Sequence, residues 1–503
     1  MKKDILKNTV KDAKQELPTY LDSIRNNYPY IFKSKYLKEL ANKYSSVLKT
    51  LLKNSSLPKK ISDIFTRTLD EDDYDPVVIG ITGTVGKTSV AYLLTEYLKA
   101  LGKKVTLLSS ASIDIPIIKH QANICMPVPI KSNNFLKDFL QNSLNYNAEY
   151  IIIEVSEEAL KEDRLNNIPF DIKVLTHFWK YWPGDTEEVQ AEYFNNKKKF
   201  FTNAQDVTTF ANVSSENLLE LTKDCSNIIY YGSKYNHNKI SKQDINYSFN
   251  EALLSLTKQY IEIQAPNKVI SLHTKTVYNP SIATNICCVI SILDYLNILD
   301  LNILTNVINA TEVPGRKTIK ANNRTFIITL NYLNDIGHLH ETLKNISVIE
   351  SGTEDSEYFD TYNKIKVLTG LPGWKASWKD RKSTTIEEFT VTLNNTFNTL
   401  YRVHSEVFDI VDEYYLTNDN PGDYPPEKII SYLEDIFCPS GKKTHSIVHR
   451  IDAIREIVLN SEENDIIFIS GRASFEAYEE QDKTLFFTDE DILKNILEEL
   501  KWL

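Results

Sequence analysis

The chain has 503 residues, of which 42% are hydrophobic and 25% are charged, a globular composition that is large enough for roughly three domains. Its formal net charge of −11 argues against nucleic acid as the main partner, because nucleic acids bind to basic surfaces. The first residues lack the apolar stretch of a signal peptide, and no run approaches the ~18 apolar residues of a membrane-spanning helix, so neither is expected. The five cysteines have no metal-ligand spacing, and a reducing cytoplasm is the predicted location.

Residues 1–76 are rich in Lys, Leu and Asn, with apolar residues at helical spacing and no glycine-loop pattern. We predict a mainly helical N-terminal region that ends at the acidic turn of residues 70–76. Its helices could form a substrate platform or the surface for a protein partner.

A glycine-rich loop between a predicted strand and a predicted helix is the most informative feature of the chain. The segment Gly80–Thr88 reads GITGTVGKT and follows the apolar run Val77–Ile79. Backbone N–H groups of such a loop close on phosphate oxygens, and the helix N-terminus adds the positive end of its dipole. Lys87 can reach the β- and γ-phosphates, and the Thr88 hydroxyl can bind Mg²⁺. ATP or GTP binding is therefore predicted, with a plain glycine turn as the alternative. The residues expected at the nucleotide phosphates are Gly83, Thr84, Gly86, Lys87, Thr88 and Ser89.

The predicted central domain, residues 77–315, alternates short β-rich runs with amphipathic stretches. This alternation predicts a mostly parallel sheet, in which ligands bind beyond the carboxyl ends of the strands. Glu154 lies near one such end. The predicted strands cover residues 104–108, 150–155, 172–176 and 207–211.

The predicted C-terminal domain, residues 316–503, shows the same alternation on a smaller scale. Its predicted strands cover residues 325–330, 365–369, 413–417 and 465–470. The expected fold class is therefore α/β, with a central P-loop domain on a parallel sheet and a C-terminal Rossmann-like α/β domain.

Several ordered motifs, from about residue 77 to the end of the chain, resemble those of the Mur ligase superfamily. The glycine loop is similar to the family's phosphate loop, and Pro314–Arg316 matches the Pro-Gly-Arg that opens the family's C-terminal domain. Residues 153–160 and 192–201 are similar to its Glu-Val-Ser-Ser-His-Ala-Leu and Ala-Lys-x-x-Leu-Phe segments. Residues 417–421 resemble the Asp-Asn-Pro of the UDP-MurNAc-tripeptide synthetase branch, and residues 469–472 resemble its Gly-Lys-Gly-His-Glu region.

The resemblance implies an ATP-dependent amide ligase. Such an enzyme activates a carboxylate as an acyl phosphate, which an amine then attacks to give an amide, ADP and phosphate. Mg²⁺ and cationic side chains offset the charge of the phosphoryl group, so catalysis is mainly positioning and electrostatics. The implied cofactors are ATP and Mg²⁺, and the implied partners are a small carboxylate and an amino acid or amine.

The resemblance also implies roles for individual residues. Glu154 would hold a second Mg²⁺, and Lys197 would be the lysine that becomes carbamylated to an anionic metal ligand. Two more lysines follow it, so the register is open by one position, and a solvated lysine run is the alternative. Arg316 would touch ATP phosphate, unless it is a plain surface arginine. The implied catalytic residues are Lys87, Glu154, Lys197 and Arg316; the implied metal ligands are Thr88, Glu154, Glu158 and Lys197. Asn285 is implied at the adenine, with a capping or buried asparagine as the alternative, and Asn331 at the ribose. Asp419, Asn420 and Arg472 are implied at the substrate.

Departures from the family pattern are informative as well. Glu158 stands where the family has a histidine; we propose it as a substitute Mg²⁺ ligand, with an exposed glutamate at a helix start as the alternative. Residues 177–185 replace the segment that carries the metal-proximal histidine, Asn331 replaces an aspartate, and Ile282 replaces an adenine-site asparagine. Residues 1–75 lack the pattern of the family's UDP-binding domain.

Three hypotheses follow. The leading one is an amide ligase that acts outside main-line peptidoglycan synthesis, because the nucleotide motifs are kept while the UDP-binding features are missing. The second is a divergent UDP-MurNAc-peptide ligase. The third is a catalytically degenerate nucleotide-binding protein with a regulatory or scaffold role.

Overall fold

A computed structural model describes residues 76–110, 112–115, 118–121, 133–165, 168–179, 187–202, 204, 206–234, 240–241, 244–254, 258–275, 282–329, 362–371, 409–419, 421, 425–472, 477–480 and 483–503. The helical region predicted for residues 1–76 therefore lies outside the described residues, except for Pro76. In the described part of the chain, no helix is both long enough and apolar enough to cross a membrane.

The first sheet has 11 strands, in the order β11-β10-β9-β8-β7-β6-β1-β5-β2-β3-β4. Its strands are β1 (Val77–Thr82), β2 (Val105–Leu108), β3 (Ser112–Ile115), β4 (Ile118–Gln121), β5 (Tyr150–Glu154), β6 (Ile172–Leu175), β7 (Thr208–Asn212), β8 (Asn227–Ser233), β9 (Tyr247–Leu254), β10 (Lys258–Ala265) and β11 (Lys268–Lys275). The strands from β2 to β9 in this order are parallel, and antiparallel strands extend the sheet at both ends.

Seven helices accompany the first sheet. They are α1 (Lys87–Ala100), α2 (Asn133–Asn145), α3 (Glu157–Lys161), α4 (Glu187–Lys199), α5 (Leu218–Leu221), α6 (Ile282–Tyr295) and α7 (Leu301–Ala310). Ile79 and Ile81 of β1 pack into a core with α1, α6 and α7, whereas Val78 between them packs into a core with α2, α3 and α4. The central strands are thus buried on both faces, as expected for a parallel sheet covered by helices.

The second sheet has six strands, in the order β12-β13-β17-β14-β15-β16. They are β12 (Arg316–Ala321), β13 (Arg324–Thr329), β14 (Ile365–Leu371), β15 (Glu413–Asn418), β16 (Lys443–Ser446) and β17 (Ile466–Ser470). A two-stranded sheet follows, made of β18 (Ala477–Glu480) and β19 (Lys483–Phe486). The accompanying helices are α8 (Pro426–Phe437), α9 (Arg450–Leu459) and α10 (Asp489–Glu499), with one turn of 3₁₀ helix at Cys438–Ser440.

The α/β fold class is confirmed, and the predicted strands agree with the observed ones to within two residues at each end. In the five parallel strands of the second sheet, as in the first, the carboxyl ends lie at one edge. The predicted domain boundaries at residues 76 and 315 stay predictions; the first strand of the second sheet starts at Arg316.

Candidate active site

The loop between β1 and α1 has a backbone that only glycine accommodates at two positions. Gly83 and Gly86 have φ angles of 148° and 88°, in the range that side-chain-bearing residues rarely adopt. A Cβ atom at Gly83 would also overlap the Thr176 hydroxyl, and one at Gly86 would lie 2.5 Å from Asn285 Oδ1. Both glycines are therefore required by local strain and by close neighbours.

The first half of the loop is bound to the chain that follows β6. The Thr84 N–H donates to the His177 carbonyl at 2.6 Å, and the Val85 N–H donates to the same oxygen at 3.4 Å. The Thr176 hydroxyl donates to the Val85 carbonyl at 2.6 Å. These bonds occupy the N–H groups of Thr84 and Val85 within the protein.

The second half of the loop leads directly into α1. Gly86 is the N-cap residue and supplies no side-chain cap to the first turn of this 14-residue helix. The first N–H groups of a helix have no intrahelical acceptors, which makes this turn a binding place for an anion.

Lys87 folds back over the loop. Its ammonium donates to the carbonyls of Gly83 and Thr84, both at 3.0 Å. Burial lowers the pKa of Lys87, and the carboxylate of Glu154 opposes this shift. A lysine held at the start of the helix supplies the positive charge that phosphate oxygens require.

Three side-chain oxygen groups that could bind a metal ion lie together beside this turn: the Glu154 carboxylate and the hydroxyls of Thr88 and Ser110. Glu154, at the carboxyl end of β5, is buried and accepts hydrogen bonds from the Thr88 hydroxyl at 3.1 Å and from the Ser110 hydroxyl at 3.2 Å. The Ser110 N–H also donates to Glu154, at 3.1 Å. A carboxylate with hydroxyl neighbours is a hard-oxygen donor set that suits Mg²⁺ with water as the remaining ligands. Among the described residues, no group of three or more His, Cys, Asp or Glu side chains could hold a metal ion, so the fit rests on Glu154 and these hydroxyls.

The structure brings one lysine of the run 197–199 to the loop. Lys197 is buried on α4, and its ammonium donates to the Thr82 hydroxyl at 3.2 Å and to the Gly83 carbonyl at 3.3 Å. Lys198 and Lys199 instead form surface ion pairs with Glu220 and Asp163. Of the three lysines in this run, Lys197 is therefore the one whose ammonium lies at the loop.

Lys87 and Lys197 share one acceptor, the Gly83 carbonyl oxygen. Burial and then the positive charge of Lys87 lower the pKa of Lys197 to about 7, while the carboxylates of Glu157 and Glu154 act in the opposite direction. Two ammonium groups at one carbonyl create a local environment that favours negative charge.

Glu157, the residue before the Glu158 that the sequence singled out, contacts helix α4. Glu157 accepts a weak hydrogen bond from the Asn196 amide at 3.4 Å, and its charge raises the pKa of Lys197. Glu158 lies half-buried in the first turn of α3.

His177 is a further residue that the sequence analysis did not assign to the site. Its Nδ1 atom lies 3.3 Å from the Asn212 amide nitrogen, and the Asn212 Oδ1 accepts from the Ser214 N–H. Burial lowers the pKa of His177 to about 4, so the imidazole is neutral at physiological pH. The neutral His177 side chain is buried, and its backbone is hydrogen-bonded to the loop, so His177 has a structural role beside the site.

Of the other residues expected at the nucleotide, the structure describes the side chain of Asn285 but not those of Arg316 and Asn331. Asn285 on α6 is buried with Oδ1 against Gly86, so it supports the loop from behind. Arg316 begins β12, and its side chain lies outside the described part of the chain. Asn331 also lies outside the described residues.

Two of the three expected substrate residues lie in a buried ionic cluster at the carboxyl edge of the second sheet, and Asn420 lies outside the described residues. Asp419 follows β15, is fully buried and pairs with Arg450 at 2.7 Å. Arg450 also bonds to both oxygens of Asp489, at 2.8 and 2.7 Å. Arg472 donates to the Phe487 carbonyl at 3.0 Å and lies over that ring. Burial raises the pKa of Asp419 to about 6, against the pull of Arg450.

Comparison with known sequences identifies the region around the loop. Residues 81–287 match the sequence profile described as the Mur ligase middle domain. The chain is 24% identical over 425 residues to the UDP-N-acetylmuramoyl-L-alanyl-D-glutamate–2,6-diaminopimelate ligase of Caldanaerobacter subterraneus subsp. tengcongensis, covering 84% of this chain and 78% of that protein. It is 25% identical to the ligase of the same name from Nitrosomonas europaea, covering 84% of this chain and 77% of that protein.

Comparison with solved structures extends this likeness to the fold. A structure of UDP-N-acetylmuramoyl-L-alanyl-D-glutamate–2,6-diaminopimelate ligase aligns with a TM-score of 0.54 at 17% identity, covering 86% of this chain and 80% of that one. Folylpolyglutamate synthase of Mycobacterium tuberculosis, complexed with ADP, aligns with a TM-score of 0.53 at 15% identity, covering 84% of this chain and 92% of that one.

Proposed function

We propose that the chain is a ligase of the Mur superfamily, whose middle domain residues 81–287 match, and that it joins a small carboxylate to an amino acid or amine outside main-line peptidoglycan synthesis. It is an ATP-dependent, ADP-forming carboxylate–amine ligase that works with Mg²⁺. The observation that carries the proposal is the pair of buried lysines at the Gly83 carbonyl, beside the oxygen donors around Glu154.

The chemistry proceeds in two balanced steps. A carboxylate oxygen attacks the γ-phosphorus of ATP, which forms an acyl phosphate and releases ADP. The amine nitrogen then attacks the acyl carbon, loses a proton and expels phosphate. Both steps pass through anionic arrangements, so fixed cations and N–H donors at the loop provide the stabilisation.

The residues of the loop serve the first step. We assign the N–H groups of Lys87, Thr88 and Ser89 to the phosphate oxygens, because the helix start has no side-chain cap. Lys87 would release its loop carbonyls and follow the γ-phosphoryl group. Thr88 and Glu154 would hold Mg²⁺, which supplies charge neutralisation at the transferred group when it is bound.

Lys197 has two candidate roles in this proposal. As an ammonium it adds a second cation at the loop. As a carbamate, which the family resemblance implies, it becomes an oxygen ligand near Glu154. The lowered pKa of Lys197, about 7, supports the carbamate, because only a neutral amine reacts with CO₂.

A substrate outside the peptidoglycan pathway is supported by the second sheet and by sequence. The carboxylate of Asp419 is fully buried and paired with Arg450, an arrangement that favours a structural role over contact with an incoming amino acid. By the family resemblance, Gly422 follows the Asp-Asn-Pro motif where ligases that add diaminopimelate carry an arginine, and residues 1–75 lack the pattern of a UDP-binding domain.

A second candidate, a divergent UDP-MurNAc-peptide ligase, is favoured by one observation. The relatives that match over 84% of this chain are named as ligases of UDP-N-acetylmuramoyl-L-alanyl-D-glutamate. Their similarity extends through both sheets, beyond the nucleotide loop that many enzymes share.

The test is ADP release by the purified protein over a panel of carboxylates and amines, with the mass of each product determined. UDP-MurNAc-dipeptide is one member of the panel. Amide formed from another carboxylate supports the proposal, whereas amide formed from UDP-MurNAc-dipeptide alone supports the second candidate. Tight MgATP binding without any product would point to a degenerate ligase.

A further inference from the structure

Helix α4 contacts the phosphate loop at two points that are one helical turn apart. Lys197 reaches the Thr82 hydroxyl and the Gly83 carbonyl. Four residues earlier, Tyr193 places its hydroxyl 2.9 Å from the Thr84 hydroxyl. Residues four apart share one face of a helix, so both contacts belong to the same surface of α4.

The Thr84 hydroxyl is saturated by the protein. Its Oγ1 accepts from the Trp179 N–H at 3.2 Å and lies 3.4 Å from the Trp179 carbonyl, to which it can donate. The Tyr193 hydroxyl can then donate into the remaining acceptor position. Because its N–H is also bonded to His177, Thr84 has no polar group left for a phosphate.

Tyr193 is itself fixed in place. Its ring stacks on Phe178 with the centroids 5.5 Å apart, and the Lys197 ammonium lies 5.6 Å from its centroid. Phe178 is fully buried, and its N–H donates to the Ser215 hydroxyl at 3.2 Å. Tyr193 therefore connects the loop to a rigid part of the core.

We propose that Tyr193 is a positioning residue that locks the Thr84 side of the phosphate loop, so that the loop and Lys197 stand ready for nucleotide before it binds. Tyr193 is not among the residues that we assign to phosphate binding. Ordering a flexible loop costs free energy and weakens nucleotide affinity. A loop that is already ordered before binding avoids this cost. The inference rests on the proposed ATP site.

The experiment measures the affinity for Mg²⁺ with a non-hydrolysable ATP analogue by calorimetry. Tyr193→Phe removes the hydroxyl and keeps the ring, and we expect binding to weaken about 3- to 10-fold, the effect of one net hydrogen bond. Thr84→Val should weaken binding at least as much, and Thr84→Ser should restore it. The double variant should bind like Thr84→Val alone, because both changes remove the same bond.

Tyr231→Phe is the matched control. The Tyr231 hydroxyl is buried and donates to the Leu175 carbonyl at 2.9 Å, the same length as the Tyr193 contact, but it does not touch the loop. We expect it to lower the melting temperature as Tyr193→Phe does, without weakening the nucleotide affinity.

Equal affinities of the wild type and Tyr193→Phe would overturn the inference, as would additive losses in the double variant. An equal loss of affinity in Tyr231→Phe would reduce Tyr193 to a general stabilising residue. If Tyr193→Phe does not fold, full nucleotide affinity in Thr84→Val would by itself overturn the inference. Failure of the wild type to bind the analogue would instead remove the proposed ATP-dependent function.

Discussion

The two sheets end in polar clusters that are opposite in character. At the first sheet, the buried ammonium groups of Lys87 and Lys197 share the Gly83 carbonyl, and the adjacent helix start presents uncapped N–H groups. At the second sheet, Arg450 is bound to both Asp419 and Asp489, and the charge of Arg472 also acts on Asp419, so two buried cations offset two buried carboxylates. The first cluster has positive charge to offer to a ligand, whereas the second is neutralised internally.

This difference distinguishes a cluster that is suited to ligand binding from one that stabilises the fold, a distinction that the sequence motifs do not make. Both clusters lie at the carboxyl edge of a parallel sheet, where ligands bind in such folds. The cationic cluster is suited to phosphate, and the neutral one holds together the segments that follow β15 and β17.

The largest expected effect comes from Lys87→Ala, which tests the cationic cluster. The loss of the charge at the phosphates should weaken binding of MgATP and reduce ADP formation by about 10²-fold or more. Lys99→Ala is the control, because Lys99 lies at the other end of α1 and pairs with Glu96 and Asp114 at the surface. Calorimetry and a coupled ADP assay would measure both. Unchanged binding by Lys87→Ala would mean that the loop does not hold phosphate.

Arg450→Met tests the neutral cluster. It leaves two carboxylates buried without their partner, which should lower the free energy of unfolding by about 3–5 kcal/mol. Arg455→Met is the control: Arg455 lies on the same helix and makes an exposed ion pair with Glu499 at 2.8 Å, which should contribute about 1 kcal/mol or less. Denaturant unfolding of both variants is the measurement. Equal losses would contradict a structural role for the cluster.

The carbamate predicted for Lys197 depends on pH. The pKa of Lys197 is lowered to about 7, so its neutral fraction, and with it the incorporation of ¹³C-bicarbonate seen by NMR, should rise as the pH increases through 7. Lys197→Met should lack the signal, and Lys198→Met should keep it. The folded state also loses this proton at a lower pH than the unfolded chain. Lys197 should therefore make the free energy of unfolding rise between pH 7 and pH 10.5, relative to Lys197→Met.

The smallest expected effect distinguishes Glu157 from Glu158. The carboxylate of Glu157 raises the pKa of Lys197, so Glu157→Gln should move the midpoint of the bicarbonate profile to lower pH by about one unit or less. Glu158→Gln should leave the midpoint unchanged. A shift in Glu158→Gln alone would return the role to the residue that the sequence suggested.

Sequence reasoning succeeded where the signal is local. The phosphate loop is contiguous, and eight strands could be predicted because short apolar runs alternate with amphipathic segments. Strands β9, β10 and β11 at one end of the first sheet were not predicted, because their pairing depends on neighbouring strands rather than on their own pattern.

The site was predictable only in part, for the same reason. Lys87, Thr88 and Glu154 follow from motifs at strand ends, and the structure places them together. The orientation of Glu157 depends on how α3 packs against α4. The burial of Asp419 depends on Arg450, which reaches it from the start of another helix. Such contacts join residues that are distant in the sequence, and no local pattern encodes them.

The carbonyl oxygen of Gly83, shared by two lysines, has a consequence for the lifetime of the protein. The two like charges at one acceptor repel each other, and this repulsion lowers the free energy of unfolding when no ligand is bound. Any polyanion that binds there relieves this repulsion and shifts the unfolding equilibrium toward the native state by mass action. The half-life of the protein in the cell should therefore increase with the nucleotide concentration, because proteases degrade the nucleotide-free protein faster than the nucleotide-bound protein.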